Sequence, residues 1–179
     1  VTDYDAVVYD LDGTLVILEV DWAAAAADVR ERYLEAGIEP PGEGLWAMLE
    51  ASEDHGLGAA VEAEIAAHER AGARRSPRLA RADELLAREV PVGVCSLNAE
   101  SACRIALEQH GLAGAVDVVV GRDTVSNHKP HPEPLLAAVE ALGAEPGRTL
   151  FVGDTERDER TARRAGTAFE YVDDGPREH

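Results

Sequence analysis

The chain has 179 residues, and its 35 acidic against 17 basic side chains leave a formal net charge of −18. At this length one domain, or one with a modest insertion, is expected rather than a multi-domain machine, and a hydrophobic content of 45% is far too high for an acidic disordered tail. The acid excess disfavours nucleic-acid binding, because neutralising phosphates takes clustered Lys and Arg, and an acidic surface repels the polyanion.

Ala6-Val7-Val8-Tyr9 is a short run of strand-favouring residues that breaks off into the polar loop Asp10-Leu11-Asp12-Gly13-Thr14. From Leu15 to Arg75 no strand is evident; helical patterns run over 21–36, 44–54 and 58–73, with the loop-like stretch Gly37 to Gly44 between the first two. Ser76-Pro77 offers an N-cap and a first-turn proline for a helix reaching about Arg88. A second strand, Pro91 to Cys95, ends at Ser96, after which Asn98 can cap a helix to about His110 that Gly111 stops. A third strand, Val116 to Val120, ends at Gly121, and a helix from Pro132 or Glu133 follows, stopped by Gly143. Thr149 to Val152 then runs into Gly153-Asp154, and a last helix to Gly166 precedes a last strand near Thr167 to Val172. The polar tail, Asp173 to His179, is expected to fray.

Strands alternating with helices predict parallel β-α units, an α/β fold with a Rossmann-like doubly wound parallel sheet. Residues 1–15 and 76–179 form its core in this reading, and 16–75 are a small all-helical insertion after the first strand. No internal repeat or long linker interrupts it.

Open sheets of this kind bind ligands beyond the carboxyl ends of their strands, where Asp10, Ser96 and Asp154 all fall. If the chain stays extended through Leu11, Asp10 and Asp12 project to one side and repel each other unless a cation or proton intervenes. Asp154 adds a third carboxylate and Asp158 a fourth, against one lysine, so a hard divalent cation with oxygen ligands, Mg²⁺, is the natural partner. Asp-Gly alone would read as an ordinary turn. The whole set outweighs that reading: Asp10-Leu11-Asp12-Gly13-Thr14, then Ser96, then Lys129-Pro130, then Gly153-Asp154 with Asp158.

In this order the motifs resemble those of the haloacid dehalogenase-like hydrolase superfamily, on both sides of the insertion. The stretches Lys129-Pro130-His131-Pro132-Glu133-Pro134 and Val152-Gly153-Asp154-Thr155 through Asp158 resemble its phosphoglycolate phosphatase-like branch, which has a helical cap. The resemblance implies that Asp10 attacks phosphorus to form an aspartyl-phosphate, and that Asp12 protonates the leaving alcohol and later deprotonates water. It implies that Ser96 hydrogen-bonds a phosphoryl oxygen, with Thr14 and Asn98 among the substrate contacts, and that Lys129 offsets charge on Asp10 and phosphate. Mg²⁺ would be held by the Asp10 carboxylate, the Asp12 backbone carbonyl and Asp154, and Asp158 would orient Lys129 or a metal-bound water. One departure is visible: Leu97 intervenes where the family often has Asn or a small residue directly after the serine.

The expected activity is therefore hydrolysis of a small-molecule phosphate ester, of phosphoglycolate or sugar-phosphate type. A phosphomutase fits the same motifs. A dehalogenase does not need Asp12, and a phospho-Asp receiver switch does not need Asp12-Gly13-Thr14 followed by a lid. Sixteen of the seventeen basic residues are arginine, which singles out Lys129 as a place where a compact ammonium is required. Scattered Asp and Glu with almost no Lys otherwise read as a halophilic surface. His128 and His131 read as loop residues rather than a zinc pair, and Cys95 and Cys103 as buried core thiols rather than nucleophiles. Arg74, Arg75 and Arg78 read as a solvated face rather than a substrate-touching hinge, and Trp22 and Trp46 as packing the core of the insertion. With two cysteines, no leader-like start and no membrane-length apolar run, a reduced, cytoplasmic protein is expected, as monomer or homodimer.

Overall fold

A computed structural model describes residues 4–42 and 44–172, so the predicted fraying of 173–179 lies outside the described residues. Five strands, β1 (Ala6–Tyr9), β2 (Val92–Cys95), β3 (Val118–Val120), β4 (Thr149–Gly153) and β5 (Ala168–Tyr171), form one sheet in the order β3-β2-β1-β4-β5. Every neighbouring pair is parallel, with Val8 of β1 in register with Gly93 on one side and Phe151 on the other. The order reverses at β1, so the topological switch point lies between β1 and β4.

The strands read as continuous apolar runs because both faces of the sheet are covered. Val7 and Tyr9 pack on one side with α5 (Glu100–Gln109) and with Ala82 and Leu85 of α4 (Arg81–Leu86); Val8, Cys95 and Phe151 pack on the other with α6 (Glu133–Ala141) and α7 (Glu156–Ala165). Helices α5, α6 and α7 end close to the predicted stops, where Gly111, Gly143 and Gly166 take positive φ as C-terminal caps.

Three helices follow β1: α1 (Trp22–Glu35), α2 (Leu45–Ser52) and α3 (Gly58–Ala73). They close on a small core of their own, from Ala25, Val29, Tyr33, Leu45, Met48, Val61 and Ile65, in which the Tyr33 hydroxyl donates to the Met48 carbonyl at 2.6 Å. The indoles expected in this core are not there: Trp22 is 37% and Trp46 52% exposed, with ring centroids 5.6 Å apart on the outside. Both sit in the first turn of their helices, and a thin layer rich in alanine fills its centre with Tyr33 and Met48.

The helix expected from Ser76 also differs. The Ser76 hydroxyl donates back to Ala73 O at 2.7 Å, ending α3, and the following residues stay extended to reach α4. Ile17 N donates to Pro77 O and Leu79 N to Leu15 O, so the chain leaving the helical layer pairs antiparallel with the chain entering it. Backbone pairing thereby ties the neck of the insertion to the loop that carries Asp10 and Asp12. Of the nearby arginines, Arg78 pairs with Asp83, and Arg75 donates to Glu19 O at 3.0 Å. Among the described residues, no helix is long and apolar enough to cross a membrane.

Candidate active site

The carboxyl ends of β1 and β4 bring Asp10 and Asp154 together at the switch point, and the start of α7 adds Asp158. One carboxylate oxygen from each of the three lies within 4.8 Å of the others, and all three residues are buried. Asp154 fits there because Gly13 is glycine: its φ is +83°, and a Cβ would lie 2.1 Å from Asp154 Oδ2.

Lys129, 5% exposed, reaches into this group from the loop before α6, with Nζ 3.0 Å from Asp10 Oδ1 and 2.5 Å from Asp158 Oδ1. Asp158 uses its other oxygen to cap α7, accepting from the Thr155 hydroxyl at 2.6 Å, while its own N–H donates to Thr155 Oγ1. Helix start and lysine are thus locked by one carboxylate. Burial works against the charge of Asp158, but the Lys129 ammonium and the Thr155 hydrogen bonds hold its carboxyl below the usual range. Asp10 differs: burial, with Asp154 and Asp158 adding to it, outweighs Lys129 and pushes its pKa up to about 8. Among the described residues three buried carboxylates gather around one ammonium, and an all-oxygen donor set of this kind fits a hard cation.

Asp12 is half-buried and faces the neck, with Oδ1 accepting from Leu18 N at 2.8 Å. Thr14 is wholly enclosed, and its hydroxyl has no hydrogen-bond partner among the described residues. Ser96 follows β2 as expected and donates through Oγ to Asn98 Oδ1 at 3.0 Å. Asn98 does not cap α5. The Ala99 and Glu100 N–H groups at that helix start instead find the Glu69 carboxylate at 3.0 Å and Asp123 Oδ1 at 2.8 Å, which frees the Asn98 amide to bridge Ser96 and Glu69. Cys95 and Cys103 are buried free thiols; burial pushes Cys95 up to about 12 and raises Cys103 as well, so neither is an available nucleophile. His131 Nδ1 accepts from Glu133 N at 3.1 Å, a loop contact.

Glu69, Glu62 and Arg122 escaped the sequence reading. Arg122, just after β3, grips both glutamates of α3, with Nη2 2.6 Å from Glu62 Oε1 and Nη1 2.7 Å from Glu69 Oε1. Burial works against its charge, but the hydrogen bonds it donates to Glu62 and Glu69 hold its pKa above the usual guanidinium range. The signal was present: Val61, Ile65 and Glu69 recur every four residues, so an acid stands on an apolar helical stripe. A cleft of about 680 Å³ opens nearby between α2, α3 and the segment 122–128. Its walls include Glu50, Glu53, Glu62 and Asp123, and its arginine is already engaged twice, so it repels a phosphate rather than receiving one.

A parallel sheet with paired carboxylates at its switch point, a buried lysine between them and a helical cap hung on the first loop defines a class of capped α/β hydrolases. Comparison with known proteins narrows the class. Residues 79–172 match the Haloacid dehalogenase-like hydrolase family model. A phosphoglycolate phosphatase of Rhodospirillum rubrum is 36% identical over 90% of this chain and 76% of its own length, and one of Aquifex aeolicus is 41% identical over 42% and 36%. Among solved structures, a subfamily IA hydrolase of the same superfamily from Geobacter sulfurreducens superposes with a TM-score of 0.63 at 27% identity, over 93% of this chain and 88% of that one. The chain belongs to the haloacid dehalogenase-like hydrolases, in the branch that resembles phosphoglycolate phosphatases.

Proposed function

We propose that the protein is a Mg²⁺-dependent phosphatase acting on a small phosphorylated metabolite through an aspartyl-phosphate. The observation that carries this reading is the buried trio Asp10, Asp154 and Asp158 around Lys129. Phosphoglycolate or a sugar phosphate is the substrate type, supported by the 36% identity to a phosphoglycolate phosphatase. The Asp10 carboxylate, the Asp12 carbonyl and Asp154 would hold Mg²⁺, which supplies positive charge against the phosphate dianion.

An Asp10 oxygen bonds to phosphorus as the bond to the leaving oxygen breaks, and Asp12 gives that oxygen its proton. Asp12 then takes a proton from the water that attacks phosphorus, releasing inorganic phosphate and restoring Asp10. Lys129 keeps Asp10 and the phosphate from repelling each other, and the Ser96 hydroxyl turns to a phosphoryl oxygen. The helical insertion, 16–75, acts as the lid on a core of 1–15 and 76–179, excluding water and selecting the leaving group. Asp12 accepts from Leu18 N at the neck of that lid, a contact that supports giving it the acid's role on the leaving-group side.

Turnover of an aryl phosphate with Mg²⁺, measured across salt concentrations, tests the reading. The parent should turn over and Asp10→Asn should lose about 10⁴-fold or more. No turnover by the parent at any salt, or activity retained by Asp10→Asn, would sink it.

A further inference from the structure

We infer that Glu69, from the helical cap, positions the Ser96 hydroxyl through Asn98, with Arg122 holding Glu69 in place; this rests on the phosphatase reading, in which Ser96 meets a phosphoryl oxygen. Glu69 is 0% exposed, and each of its oxygens accepts two hydrogen bonds. Oε1 accepts from Asn98 Nδ2 at 3.1 Å and Arg122 Nη1 at 2.7 Å. Oε2 accepts from Ala99 N and Arg122 Nη2, both at 3.0 Å.

An ionised carboxylate only accepts, so it dictates which end of the Asn98 amide faces it. The NH₂ end turns to Glu69 and the carbonyl end to Ser96. The Ser96 oxygen is then held twice by Asn98, donating to Oδ1 at 3.0 Å and accepting from the backbone N–H at 3.2 Å. A phosphoryl oxygen needs only to draw the hydroxyl proton away from Oδ1, by rotation about one bond, while the serine oxygen stays anchored. Arg122 completes the frame by donating to Leu97 O at 2.8 Å. The extra residue between Ser96 and Asn98 is thereby fixed from outside, and with Arg122 N donating to Asn98 O at 2.9 Å the segment 96–99 is held at four points by one cap glutamate and one core arginine.

A purely structural cap-to-core salt bridge is the competing account, and Glu62 separates the two. Glu62 also binds Arg122, at 2.6 and 3.0 Å, but its hydrogen bonds run to Arg122 and not to Asn98. Loosening the cap through Glu62 should therefore leave Ser96 in place.

The test is a double-mutant cycle on the full chain, with kcat, KM and thermal midpoint measured for Glu69→Gln, Ser96→Ala and the pair on an aryl phosphate with Mg²⁺. Glu69→Gln should lower kcat/KM about tenfold, mainly through kcat, while Ser96 is present, and less than about twofold on the Ser96→Ala background. Glu62→Gln should change kcat/KM by less than about twofold while lowering the midpoint. Equal losses from Glu69→Gln on both backgrounds, or a loss from Glu62→Gln as large as that from Glu69→Gln, would overturn the inference. Should Glu69→Gln not fold, Glu69→Asp, which keeps the charge that Arg122 needs but shortens the reach to Asn98, takes its place in the cycle with the same coupling expected. A parent without turnover would instead sink the phosphatase reading, and the inference with it.

Discussion

Two buried clusters of acids around one base stand close together in this molecule, and they are built on opposite plans. At the sheet edge, Lys129 serves Asp10 and Asp158, with Asp154 beside them as a third carboxylate. At the cap seam, Arg122 serves Glu62 and Glu69 with its planar fork, and Asn98 and Ala99 fill the remaining acceptor positions of Glu69. The arginine cluster is saturated in hydrogen bonds and makes a scaffold. The lysine cluster is short of positive charge, and burial leaves Asp10 reluctant to ionise. Such an imbalance costs stability in the resting protein, and the cation and phosphate of the proposed reaction would offset it. A surplus of charge thus distinguishes a site from a brace better than the presence of a buried ion pair does.

Replacing the base of each cluster should cost most at the sheet edge. Lys129 sits in a gap 3.0 Å from Asp10 and 2.5 Å from Asp158, which a guanidinium overfills although the charge is unchanged. Lys129→Arg is expected to lose about 10²-fold or more in kcat/KM on an aryl phosphate. Activity near that of the parent would refute the view that a compact ammonium is needed.

At the seam the larger effect should be on stability. Arg122→Met strands two glutamates, one of them fully buried, and breaking a buried pair from one side costs about 3–5 kcal/mol. In a chain of this size that is a fall of about 10 °C in thermal midpoint. Arg122→Lys keeps the charge but forfeits the fork, and should fall between parent and Arg122→Met. Calorimetry on the three proteins checks the order; a midpoint for Arg122→Met within about 2 °C of the parent would mean that the seam is not held by this residue.

The two clusters also differ in how far they were legible. Asp10, Ser96, Lys129 and Asp154 were readable because each follows a strand or lies a short loop from one, so the sheet edge alone gathers them. Asp158 was readable by its spacing from Asp154. The seam was not, because Glu62 and Glu69 lie on a helix about 55 residues before Arg122, and no local pattern encodes which helix face meets which strand end. Trp22 and Trp46 failed for a related reason: hydrophobicity says that an indole can be buried, whereas the narrow gap between three alanine-rich helices decides that it is not. Asn98 has the chemistry of an N-cap, and tertiary partners gave it another use while Glu69 and Asp123 took over the helix start.

The smallest effect, and the one that tests the imbalance directly, is on stability against pH. The Asp10 carboxyl titrates near 8 in the folded chain and near 4 when unfolded, so between those values the folded state holds more protons. By linkage, stability of the metal-free protein then falls as pH rises through this window. The partners do not mask it. Asp158 is depressed, so its contribution is lost only as pH falls below about 4; Lys129 is raised, so its contribution is lost only above about 10. Without divalent cations, the parent's thermal midpoint should therefore lie a few degrees higher near pH 5.5 than near pH 8, relative to Asp10→Asn, which removes the titrating group. Subtracting the variant cancels the surface repulsion of a chain with net charge −18. Mg²⁺ should erase the difference by raising the midpoint more near pH 8, where Asp10 is ready to ligate, than near pH 5.5, where a proton competes. A parent midpoint that rises with pH relative to the variant, or a Mg²⁺ effect larger near pH 5.5, would show that Asp10 is not the strained acid of this centre.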